Sequence, residues 1–151
     1  MKKVLLLSLL GLAMMQGRAL ASEPVNVTAA SFETQRSGVL EALNDGKTYA
    51  ELSADDRRRV IASLNRISGL LSGRTPADLP ESVRLEVFNE QEQLNTLLAG
   101  ARADSRLVCK REKKTGSNRP TNNCMTVAER RRAQDESQSE MQKMLRRPLT
   151  P

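Results

Sequence analysis

Cys109-Lys110-Arg111-Glu112-Lys113-Lys114-Thr115-Gly116-Ser117-Asn118-Arg119-Pro120-Thr121-Asn122-Asn123-Cys124 holds both cysteines of the chain. Gly116-Ser117 lies midway between them. A Gly-X pair suits the type II′ turn of a two-residue hairpin, because glycine takes a positive φ without steric cost. That register sets Cys109 opposite Cys124, and an antiparallel pair spaces its Cα atoms at roughly 4.5 to 5.5 Å, within reach of a disulfide. Pro120 would then oppose Lys113 at a hydrogen-bonded position, where proline has no N–H to donate, so a longer loop or a bulge near Pro120 competes with the tight turn. Two strands alone are marginal in water. A bridge closing a loop of this size contributes on the order of 3 kcal/mol in the chain-entropy account.

Every residue from Lys110 to Lys114 is charged. A strand with no apolar face is not a core strand, and only Leu107, Val108, Met125 and Val127 offer anchorage at the base of the hairpin. Lys110, Arg111, Lys113, Lys114 and Arg119 are therefore the candidate surface for an anionic partner, whether phosphate, carboxylate polymer or an acidic protein face. The competing reading is a stapled loop that only faces water. With no His and two thiols, the chain lacks the donors of a structural zinc site, and no cofactor motif is present.

The run Cys109-Lys110-Arg111-Glu112, then Thr115-Gly116-Ser117-Asn118-Arg119, then Cys124, together with Phe88-Asn89-Glu90-Gln91-Glu92 through Ser105-Arg106, resembles a signature of small exported proteins of proteobacteria. The resemblance covers residues 85–132. It implies an exported compartment and a disulfide, and carries no activity.

Residues 1–21 read as a secretory signal peptide: Lys2-Lys3, an apolar run from Val4 to Met15, and Ala19-Leu20-Ala21 as the cleavage site, so the mature chain is expected to begin at Ser22. No cysteine follows the apolar run, which excludes a lipid-anchored lipoprotein there. The destination is periplasmic or secreted, with no transmembrane helix after cleavage, and an oxidising compartment suits a structural bridge. The leader carries three basic and no acidic residues, leaving 21 basic against 18 acidic, net +3. Residues 22–101 hold 8 basic and 12 acidic side chains, net −4, and residues 102–147 hold 13 and 6, net +7. Phe32, Tyr49 and Phe88 are the only aromatics. That scarcity argues against a nucleic-acid platform, where bases stack on rings.

Hydrophobic spacing predicts a mainly α chain: a small three-helix bundle over residues 22–106, the disulfide-closed hairpin over 107–126, and a solvent-exposed C-terminal helix and tail over 127–151. Residues 22–27 show no pattern. Phe32, Val39, Leu40 and Leu43 mark the first helix, stopped at Asp45-Gly46, and a linker from Lys47 to Leu52 follows. Ser53 caps a second helix with the clearest stripe, Val60, Leu64, Ile67 and Leu71, ended by Gly73. Arg57-Arg58-Arg59 in its first turns reads as a solvated face paired with Asp55 and Asp56, in preference to an anion patch.

The third helix starts at Glu81 and carries Val83, Val87, Leu94, Leu98 and Ala101. Its polar stretch, Asn89-Glu90-Gln91-Glu92 with Asn95, is expected to brace the hairpin base, with Glu90 or Glu92 paired to an arginine there. Thr126-Val127-Ala128-Glu129 fits a capping box, so a last helix should start right after Cys124. From Arg130 on it has almost no apolar face. Met141, Met144 and Leu145 form a weak sticky end before Pro148.

The function expected is non-enzymatic: an exported protein presenting a basic, disulfide-stapled hairpin to an anionic envelope component or protein partner, with oligomeric state open. A small periplasmic enzyme and a purely structural domain are the alternatives. Without His, and with both thiols bridged, Ser-His and Cys-His nucleophilic pairs are unavailable. The wide cysteine spacing also separates the pair from C-x-x-C redox motifs.

Overall fold

The structure, a computed structural model, describes residues 23–28 and 31–146. The leader, Ala29-Ala30 and the tail from Arg147 through Pro148 to Pro151 lie outside the described residues. The chain is mainly helical: α1 (Phe32–Asn44), α2 (Ala54–Leu71), a short 3-10 turn (Pro76–Asp78), α3 (Glu81–Ser105), an antiparallel hairpin of β1 (Leu107–Lys113) and β2 (Pro120–Thr126), and α4 (Val127–Arg146).

The spacing of four, three and four along α2 places Val60, Leu64, Ile67 and Leu71 on one stripe, and all four are buried. They meet the stripe of α3, where Val87 and Leu94 are wholly inaccessible and Leu98 and Ala101 are buried. Phe32, Val39 and Leu43 close the bundle from α1. Ser53 accepts a hydrogen bond from the Asp56 N–H at 3.0 Å and starts α2 as its sequence requires. The helix ends at Ser72 and Gly73, both left-handed, with the Ser72 N–H returned to the Ser68 carbonyl. Arg58 and Arg59 pair with Asp55 and Asp56, and Arg57 donates to the Leu43 carbonyl at 2.6 Å, occupying an orphan acceptor at the end of α1.

Two segments without helical period also belong to the core. Val25 and Val27, in the stretch read as unpatterned, are buried, as is Tyr49 in the turn between α1 and α2. The polar stretch of α3 serves the first of these and leaves the hairpin alone. Asn95 Oδ1 accepts from the Val25 N–H at 2.8 Å and Asn95 Nδ2 donates to the Val25 carbonyl at 2.9 Å, while Gln91 Oε1 accepts from the Val27 N–H at 2.8 Å. Glu90 accepts from Ser63 at 2.9 Å and pairs with Arg66 of α2 at 3.3 Å. The expectation that Asn89 to Glu92 and Asn95 brace the hairpin is thus corrected. A helix face aimed at an extended segment from the other end of the chain carries no local signature.

Candidate functional site

The strands pair from Leu107↔Thr126 to Lys113↔Pro120, with Cys109 opposite Cys124, and a disulfide joins the two at a Cα separation of 4.0 Å. That distance is the narrow spacing of a non-hydrogen-bonded antiparallel pair. The Val127 N–H donates to the Arg106 carbonyl at 3.0 Å, so the hydrogen-bonded pairs are those at even positions of β1. Lys113↔Pro120 is therefore a narrow pair, and the missing N–H of Pro120 costs the ladder nothing.

The tight Gly116-Ser117 turn does not form. A six-residue loop, 114–119, closes the hairpin instead, and within it the Ser117 N–H donates to the Lys114 carbonyl at 2.9 Å. Gly116 takes φ +81 at the third position of that turn, the place where a type II turn needs glycine. The cysteine register survives because it depends on the pairing, which both loops share.

Alternation along the strand sets Arg111 and Lys113 on the face of the bridge and Lys110 and Glu112 on the other. All four lie exposed, as do Lys114 and Arg119 in the loop. Glu112 is the only carboxylate among them, and it accepts from the Asn123 amide at 3.2 Å. Among the described residues, Lys110, Arg111, Lys113, Lys114 and Arg119 form no ion pair. Glu112, Lys113, Lys114, Thr115 and Thr121 to Asn123 border an open concavity of about 660 Å³.

The root of the hairpin is held differently from expectation. Leu107 is 63% exposed and anchors nothing, whereas Val108, Met125 and Val127 are half-buried. Most of the hold is polar. Thr126 and Glu129 form the capping box: the Thr126 N–H donates to the Glu129 carboxylate at 2.7 Å, and the Glu129 N–H to Thr126 Oγ1 at 3.0 Å. Thr126 Oγ1 also donates to Glu51 Oε1 at 2.6 Å, and the Glu51 N–H donates to Ser105 Oγ at 2.9 Å.

Three consecutive arginines of α4 sweep about 200° around the helix, and each finds a different element. Arg130 reaches the Val108 carbonyl of β1 at 3.1 Å, Arg131 grips both carboxylate oxygens of Asp104 on α3 at 3.1 and 3.0 Å, and Arg132 meets Glu51 at 2.8 Å. The hydrogen bonds from Arg132 and then Thr126 hold the Glu51 carboxyl below its usual range despite burial. The bond from Arg131 does the same to Asp104. These residues sit outside every sequence-level candidate; the one signal for them is the run Arg130-Arg131-Arg132, which reads as a solvated helix. Beyond the first turns α4 is exposed, with Met141, Met144 and Leu145 at 63%, 70% and 81%.

No group of three or more acidic or cysteine side chains among the described residues is arranged to hold a metal ion. No helix among them is long and apolar enough to cross a membrane. The disulfide fits an oxidising compartment. Neither a family model, nor a curated protein, nor a solved structure matches this chain.

Proposed function

We propose that this is an exported, non-enzymatic protein whose hairpin is a cationic finger for an anionic component of the cell envelope, in the periplasm or outside the cell. The observation that carries the reading is the set of five unpaired cations, Lys110, Arg111, Lys113, Lys114 and Arg119, on a ribbon closed by a covalent bridge. Cations left without carboxylate partners keep their full attraction for an external anion. Stapling also reduces the ordering entropy that a flexible basic loop would lose on binding. The signal-like leader and the resemblance to exported proteins point to the same compartment.

The test is sedimentation with vesicles rich in anionic phospholipid, comparing the mature protein with the variant Lys110→Ser, Arg111→Ser, Lys113→Ser, Lys114→Ser. Each basic side chain near such a surface contributes about 1 kcal/mol, so the variant should bind at least ~100-fold more weakly. Binding should also fall as salt rises. Equal binding by both proteins at moderate salt overturns the reading.

A further inference from the structure

The disulfide lies on the outward face of the ribbon. Val108 and Met125, paired across the strands, are half-buried, so the alternate face, with Leu107, Cys109, Arg111 and Lys113 opposite Cys124 and Asn122, turns the other way. Only Thr126, at the root, is buried on that face. Leu107 is 63% exposed, and both cysteines are exposed with it. Exposed bridges are the reducible ones, whereas those shielded by packing resist thiols. The neighbours favour exchange further. Arg111 follows Cys109 by two residues and lies diagonally across from Cys124. Such same-face neighbours are about 7 Å apart, within the reach of an arginine. Five cations and one carboxylate, Glu112, lie between Leu107 and Thr126. A positive field attracts an incoming thiolate and lowers the pKa of the thiol that leaves, and both speed exchange.

The outer ribbon depends on this bridge. From Lys110 to Lys113 and from Pro120 to Asn123 every residue is exposed, and the side-chain ties are the Asn123 amide to Glu112 and Thr121 Oγ1 to the Glu112 carbonyl at 3.4 Å. Two strands without a packed face are marginal in water, and the cations repel one another. The root holds by other means: the Thr126–Glu129 box, Glu51 and Arg132 are linked without the sulfurs. Breaking the bridge therefore loosens the ribbon and leaves the bundle and α4 in place. From the exposure of both cysteines, the cations beside them and the ribbon's reliance on their bond, we infer that the Cys109–Cys124 bridge is a reversible redox site, the substrate of a protein with a Cys-X-X-Cys dithiol, which switches the ribbon between a closed and a released form. One thiolate of that partner attacks Cys124 Sγ to form a mixed disulfide, and the electron pair of the broken S–S bond leaves on Cys109 Sγ beside Arg111. The partner's second thiolate then displaces Cys124. Two electrons and two protons pass to this chain, which gains two thiols as the partner gains a disulfide; an oxidised partner runs the steps backward. The consequence for anion binding rests on the cationic-finger reading above: a released ribbon loses more freedom on docking and binds more weakly.

The test uses the whole mature chain, with thioredoxin as the Cys-X-X-Cys probe. In a mixture of equal amounts of reduced and oxidised thioredoxin, at least half of the chain should be reduced at equilibrium, read by trapping thiols with iodoacetamide and measuring mass. A smaller fraction overturns the inference. The variant Arg111→Ser, Lys113→Ser should be reduced at least fivefold more slowly, and an unchanged rate overturns it as well. Hydrogen exchange of the reduced, alkylated chain should be at least tenfold faster over residues 107–113 and 120–126 and unchanged in α2 and α3. Protection kept in the ribbon, or lost throughout the chain, overturns the inference, because the bridge would then be idle or a support of the whole fold. Vesicles rich in anionic phospholipid separate this result from the fate of the finger: the oxidised chain should bind them at least tenfold tighter than the reduced one. Equal binding overturns the switch and leaves the finger standing. An oxidised chain that does not bind removes the finger alone, and the thioredoxin and hydrogen-exchange results still decide the redox site.

Discussion

Arg130-Arg131-Arg132 at the foot of α4 and Lys110 to Lys114 on the hairpin are two basic runs with opposite fates. Each arginine of the first run is engaged by a carbonyl or carboxylate from a different element. No cation of the second run is paired among the described residues. The difference lies in the acceptors. Asp104 and Glu51 are brought to the helix by the bundle and the Val108 carbonyl by the first strand, whereas among the described residues no acid pairs with the ribbon's cations, and Glu112 accepts from Asn123. A run of positive charge becomes structural glue or a free surface according to what the fold sets opposite it.

The largest effect should come from removing the free run. The fourfold serine variant of the hairpin is expected to lose at least ~100-fold in binding to anionic vesicles. Its folding stability should stay within the ~0.5 kcal/mol of an ordinary surface change, leaving the melting temperature nearly unmoved. A fall in melting temperature comparable to that from damage at the foot of α4 would erase the contrast between the two runs.

Next is the bridge. Changing Cys109 and Cys124 together to Ser should cost about 3 kcal/mol, by the entropy of a closed loop of this size. The loss should be concentrated in the ribbon: hydrogen-exchange protection disappears from residues 107–113 and 120–126 while α2 and α3 keep theirs. Unchanged protection in the strands would mean that the polar root alone holds them.

A smaller effect is expected from Glu51→Ala, which strips partners from Thr126 and Arg132 at once. About 2 kcal/mol should be lost in chemical denaturation, because hydrogen bonds to a charged group are being broken. Vesicle binding should not change.

The smallest is a pH effect. Glu51 and Asp104 both titrate below their usual ranges, held there first by hydrogen bonds from Arg132 and Arg131. A carboxyl depressed in the fold stabilises it above its unfolded value, about 4.3 for Glu and 3.9 for Asp, and that contribution vanishes as pH falls through the lower folded value. Hydrogen exchange followed downward from pH 5 should therefore show the first turns of α4 loosening before the ribbon, which has no ion pair to break. Loosening in the reverse order would remove the assigned role of Glu51 and Asp104.

Local pattern and covalent geometry were enough for much of the architecture. The stripes of α2 and α3 reveal themselves because a helix repeats every 3.6 residues. Ser53 and the Thr126–Glu129 box announce helix starts through short-range hydrogen bonds, and two cysteines in one strand register can meet only each other. Sequence left the tight turn and a longer loop near Pro120 both open, because Gly116 satisfies a positive φ in either, and the choice of the six-residue loop 114–119 falls to the hydrogen-bond parity that places Pro120 at a narrow pair. Tertiary structure alone decided the burial of Val25 and Val27 against Gln91 and Asn95, and the meeting of Arg130, Arg131 and Arg132 with three separate elements. Such contacts join residues as many as 81 positions apart, and an unpaired amide or arginine looks the same in a sequence whether it ends in water or against a distant backbone.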